Sequence, residues 1–180
     1  MIVNAERVDW AGFTALPPRL LERPTNVSRE EAWSRHRERL RLLPERSQSL
    51  RELAQRNGVE VGERGQRDCA SLESWVYGVV MAHGALRDEP DAPVLSLVHD
   101  AGMVFGDEQI ARYPTLSWQM RRGSPRNLVY HYTVIMGFTK AKGYEAEPVF
   151  SYMLQLAEEL KGDKRRPRWT SIVERNEELA

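Results

Sequence analysis

His99-Asp100 is the pair in this chain whose chemistry stands out first. Adjacent imidazole and carboxylate ligands, with a further histidine upstream and an aspartate downstream, are a recognised way for a metal-dependent phosphohydrolase to hold divalent cations. His83 and Asp163 stand where those outer ligands would be needed. A working site needs three or four such groups converging, with further hydrogen bonds to orient them. Against this, Asp163 follows Gly162 in an expected loop, and prolines and acids separate His83 from His99. The plainer reading is a partly exposed histidine beside a helix-surface carboxylate. The enzymatic alternative stays open on His83, His99 and Asp100.

Other reactive residues lack partners at telling distances. His131 lies between Tyr130 and Tyr132, and His36 lies on the apolar side of a helix; neither has a catalytic companion at a recognisable spacing. No serine sits in a G-x-S-x-G elbow, and the glycines at 58, 62 and 65 are not followed by the Lys-Ser/Thr of a phosphate loop. The run Lys161 to Arg168 beside Trp169 could touch phosphate and stack on a base. A solvated loop with one anchoring Trp fits better, because the chain carries 26 basic and 26 acidic residues and so no global basic field. Nucleic acid is therefore a disfavoured partner. Arg35, Arg37, Arg39 and Arg41 alternate with Glu30, Glu31, Glu38 and Glu45, which reads as a salt-bridged, exposed helix face.

These residues must be positioned by one core. A length of 180 residues with 41% hydrophobic content fits a single domain spanning 1-180. Cys69 is the only cysteine, which excludes an internal disulfide and suits a reducing cytoplasm. The first residues do not form a signal peptide, and the longest apolar run, Trp75 to His83, is too short for a membrane span. Only four of the 26 basic residues are lysines, at 140, 142, 161 and 164. Arginine codons are GC-rich, so a high-GC bacterial source explains the imbalance. No cofactor motif is present.

The spacing predicts a mostly helical α+β domain of about five helices and one antiparallel hairpin near 115-138. An irregular arm covers 1-27, with Trp10, Phe13, Leu20 and Leu21 as anchors. Ser28 and Glu31 form a capping box before Trp33, His36, Leu40 and Leu43, and Pro44 is expected to end that helix. Ser49 and Glu52 repeat the signature for a short second helix that stops at Asn57-Gly58. An exposed Gly-rich loop from Gly58 to Arg67 leads to a third helix, capped by Asp68 or Ser71. A fourth runs from Pro93 to about Tyr113, with Gly102 and Gly106 permitting close approach. Leu116, Trp118 and Met120 alternate as a half-buried strand, and Leu128 to Phe138 continues as the second. Pro148 opens a last helix, and 163-180 forms a tail. Trp75, Val79, Leu97, Val104, Trp118 and Val134 are the expected core.

The order Gly102, Gly106-Asp107-Glu108, Arg112, Pro114, Trp118, then a hairpin and a helix opened by Pro148, resembles small high-GC bacterial domains of immunity-like or partner-binding character, over about residues 94-160. In them an apolar-Gly-Glu step and a basic residue lead into a strand bearing a Trp. This chain departs in having Asp107 before the glutamate and a long second strand. The resemblance implies interaction with another protein, or with a second copy, rather than catalysis. The residues expected to carry it are Glu108, Arg112, Trp118, Tyr130 and Tyr132, where the end of the fourth helix meets the hairpin. The second strand is apolar or aromatic on both faces, which a sheet covered on one face would leave partly exposed.

Overall fold

The computed structural model describes residues 7–22, 24, 27–67, 69–83, 91–124, 126 and 130–138. The helix expected after Pro148, the basic patch at 161–168, Asp163, Asp68 and the tail lie outside these residues. Within them run four helices, α1 (Pro18–Leu21), α2 (Arg29–Arg56), α3 (Cys69–His83) and α4 (Ala92–Arg112). Two strands follow, β1 (Ser117–Met120) and β2 (Thr133–Met136). The class is the expected mostly helical α+β with one antiparallel hairpin. None of the described helices is long and apolar enough to cross a membrane.

α2 corrects the expectation of two helices. Ser28 caps it as predicted, its hydroxyl accepting from the Glu31 N–H at 3.2 Å. It then runs unbroken for 28 residues, with Pro44 inside. An internal proline removes one helical hydrogen bond and costs about 3 kcal/mol in isolation. Burial beyond it offsets this: Arg46, Leu50, Leu53 and Ala54 all lie against the body of the protein. The helix ends where expected, at Asn57 and at Gly58 with a φ of 77°.

The core gathers Leu50 and Leu53 of α2, Leu72, Trp75, Val76 and Val79 of α3, and Val94, Leu97, Val98, Val104 and Phe105 of α4, with Ile135 of β2. Of the predicted core, Trp75, Val79, Leu97, Val104 and Val134 are buried, while Trp118 is half-buried. α4 packs against both α2 and α3, and 14 of its residues are buried, so it is the central element. The arm before α2 is not wholly irregular, since α1 forms one turn after Pro17. Trp10 and Phe13 pack on the core as expected, and Leu20 is fully buried. Asp9 N–H donates to Asn57 Oδ1 and Leu16 N–H to Ser96 Oγ, both at 2.9 Å, which fastens the arm to α2 and α4.

The loop from Gly58 to Arg67 is exposed at Gly58, at Glu60 and from Gly62 to Gln66, but Val59, Val61 and Arg67 are buried. The hairpin pairs Ser117 with Met136, Trp118 with Ile135, Gln119 with Val134 and Met120 with Thr133. β1 alternates as predicted, with Leu116 and Met120 buried and Ser117 and Gln119 exposed. β2 is shorter than the expected Leu128 to Phe138. The chain turns at Tyr130 and His131, where His131 takes a φ of 67°, a left-handed conformation that histidine tolerates better than β-branched residues do. Leu128 and Val129 lie outside the described residues.

Candidate functional site

α2 turns an unusual face to the core. Ala32, Arg35, His36, Arg39, Arg46 and Leu50 share it at helical spacing and are all buried, whereas Trp33, Leu40 and Leu43 are half-buried. Arg35 and Arg39 therefore belong to the interior and not to the exposed salt-bridged face expected from their glutamate neighbours. Arg35 Nε donates to Glu31 Oε1 at 2.7 Å.

Two polar assemblies bind α2 to α4. In the first, Arg46 Nε lies 3.1 Å from both carboxylate oxygens of Asp100, and its terminal nitrogens reach Asp100 Oδ2, Ser96 Oγ and the Thr14 carbonyl. Phe13 lies under the same guanidinium, 4.9 Å from its ring centroid. In the second, Arg67 from the loop contacts Asp107 Oδ2 at 3.1 Å and donates to Ser47 Oγ at 3.0 Å. Glu108 completes this group: Gly65 N–H and Arg112 Nε donate to its two oxygens at 2.8 and 3.2 Å. Beside it opens a cleft of about 280 Å³ lined by Ser47, Arg51, Arg64, Arg67 and Asp107. Its arginines are already engaged, Arg51 with Glu63 and Arg64 with Asp107.

The His99-Asp100 pair is not the partly exposed surface dyad expected: both residues are buried, 3% and 1% exposed. Both Asp100 oxygens are committed to Arg46, and His99 Nδ1 is 4.0 Å from Asp100 Oδ1. Burial holds His99 below the usual imidazole range, more strongly than Asp100 raises it. His83 ends α3 beside Trp10, ring centroids 6.4 Å apart. Among the described residues no three His, Cys, Asp or Glu side chains converge to hold a metal ion.

A small, partly open chamber of about 10 Å³ lies between α2, α4 and the hairpin, lined by Arg39, His99, Met103, Trp118, Tyr132 and Thr133. His36 Nδ1 contacts Thr133 Oγ1 at 3.1 Å. Burial, reinforced by the charges of Arg39 and Arg37, pushes the His36 pKa down to about 4. Arg39 is lowered to about 10, chiefly by burial and next by Arg35, and so remains protonated at neutral pH.

The expected binding residues do not form one surface. Glu108 pairs with Arg112 one turn on, but it is fully buried. Arg112 is exposed, Trp118 and Tyr130 are half-buried, and Tyr132 is buried. Tyr130 and Tyr132 do not share an exposed strand face, because the backbone turns before β2 begins. Strand alternation would also place Tyr130 and His131 on opposite faces; instead their rings stack with centroids 3.7 Å apart. His131, Tyr132, Thr133, Val134 and Ile135 are all buried within one chain, so the expected exposed aromatic face is absent from the described hairpin.

A different surface was missed by the sequence reading, which took α3 only as a core helix. α3 contains no Asp, Lys or Arg and a single Glu, Glu73, which is buried. Its outer face presents Ala70, Ser74, Tyr77, Gly78, Met81 and Ala82, from half-buried to exposed. Met81, 46% exposed, is the one large hydrophobic residue on the surface of the described residues. The available signal was compositional: no acid or base falls at any of these positions. No protein-family model, curated protein or solved structure matches the chain.

Proposed function

We propose that this chain is a non-enzymatic protein-interaction domain of the bacterial cytoplasm, and that its partner is a second copy of itself docked through the outer face of α3. The observation that carries this reading is that face, free of charge on a chain with 26 basic and 26 acidic residues. Interface centres are depleted of charge and enriched in aromatic and methionine side chains, which Tyr77 and Met81 supply. Ala70, Ser74 and Gly78 fall four residues apart on one stripe. Small side chains at that spacing let two helices approach closely, and one stripe can meet its own copy across a twofold axis. Zero net charge adds no long-range repulsion between copies.

Bacterial origin and partner binding draw on the arginine-rich composition and on the resemblance to immunity-like domains; a cytoplasmic setting rests on the single cysteine. The docking surface replaces the hairpin and the end of α4, whose aromatic residues are largely spent inside the fold. The phosphohydrolase alternative loses its support with Asp100 bound to Arg46. Ser74→Glu tests the interface, because Ser74 is exposed and its replacement disturbs no core contact. Light scattering on the size-excluded protein is expected to change from dimer to monomer while the far-UV circular dichroism stays the same. A variant that associates as the parent does would refute the docking surface.

A further inference from the structure

Four arginines are buried among the described residues, Arg35, Arg39, Arg46 and Arg67. Three face a carboxylate: Arg35 meets Glu31, Arg46 meets Asp100, and Arg67 meets Asp107. Arg39 differs. One of its terminal nitrogens donates to the Leu20 carbonyl, its Nε has no hydrogen-bond partner, and no carboxylate among the described residues forms an ion pair with it. Trp118 Nε1 is buried without a partner as well.

Arg39 and Trp118 both line the chamber that His99, Met103, Tyr132 and Thr133 complete. Its volume of about 10 Å³ suits a single water-sized species. Guanidinium and indole N–H groups are donors only, so the occupant must accept hydrogen bonds. A water molecule could accept from both, but it would leave buried Arg39 with no counter-ion in contact and only the more distant charge of Glu38 to offset it, in a setting where an unpaired ion is costly. A monatomic anion accepts from every donor around it and cancels the charge. It is also close to water in size, whereas phosphate, sulfate and an organic carboxylate are far larger.

We propose that this chamber is a binding site for one halide ion, chloride under ordinary salt conditions, held by Arg39 and Trp118 between α2, α4 and the hairpin. The ion supplies for Arg39 what Asp100 supplies for Arg46. Because it joins three elements, its occupancy stabilises the folded chain in proportion to halide concentration. This site is independent of the α3 surface.

The test is thermal unfolding of the full chain at constant ionic strength, with sodium chloride or bromide replacing sodium gluconate, whose anion is too large for the chamber. The melting temperature is expected to rise with halide concentration. Trp118→Phe keeps a ring against Gly106 while removing one donor, and should raise the half-effective chloride concentration roughly tenfold. Arg39→Met should abolish the dependence. Crystals soaked in bromide should give an anomalous peak between Arg39 and Trp118. A chamber that scatters as water in bromide, or a melting temperature indifferent to the exchange of gluconate for halide, would overturn the assignment whether or not Arg39→Met folds.

Discussion

Arg46 and Asp100, 54 residues apart in sequence, face each other across α2 and α4 with the Arg46 Nε 3.1 Å from both carboxylate oxygens. The pair lies beyond Pro44 and so anchors the half of α2 that the proline would otherwise release. Asp100 was the most tempting catalytic residue in the sequence, and its place in the fold makes it a structural counter-ion. Removing one member of a buried pair strands the other charge, typically at a cost of 3–5 kcal/mol.

Asp100→Ala is accordingly expected to lower the unfolding free energy by about 4 kcal/mol in urea titrations. The double variant Arg46→Met with Asp100→Leu should recover most of that loss. A mild effect of Asp100→Ala, under about 1 kcal/mol, would mean that the pair does not hold α2 to α4.

Gly106 sets the seat of Trp118. A Cβ at position 106 would lie 2.1 Å from Trp118 Cη2, too close for any real contact. Gly106→Ala should therefore destabilise the chain by about 1–3 kcal/mol through overpacking. In a Trp118→Leu background the same change should cost much less, so a double-mutant cycle reads the coupling directly.

His36 gives stability a pH dependence with a definite sign. Its folded pKa, about 4, lies below the 6.5 of an unperturbed imidazole, so the unfolded chain binds a proton that the folded chain refuses. Its contribution is complete above pH 6.5 and is lost as pH falls toward 4, with a total of about 3 kcal/mol at most. His99, lowered in the same direction by burial, adds to the slope. Chemical denaturation between pH 7 and pH 4 is expected to show this decline, and His36→Gln should flatten part of it.

The local signals that were legible are those written in neighbouring residues. Ser28 with Glu31, Gly58 and Pro93 mark helix ends through their own backbone chemistry, and alternation marks β1. Pro44 misled because its cost is local, while its compensation comes from Arg46 meeting residues far along the chain. The buried face of α2 was hidden for a related reason. Arg35, Arg39 and Arg46 share helical spacing with Ala32, His36 and Leu50, but an arginine is read as exposed unless its acceptors are known. Those acceptors, the Leu20 and Thr14 carbonyls and Asp100, come from other segments. The hairpin aromatics were misplaced because one left-handed residue, His131, ends the alternation that the strand pattern assumed.

The central claim is that the uncharged outer face of α3 joins two copies of the chain. Sedimentation equilibrium of the 180-residue chain over a wide concentration range, beside Met81→Lys, tests it most directly, since Met81 lies on that face and is 46% exposed. A reversible monomer–dimer equilibrium in the parent, shifted to monomer in Met81→Lys with the fold intact, is the predicted result. A parent protein that stays monomeric at every concentration, or a Met81→Lys variant that dimerises equally well, would contradict it.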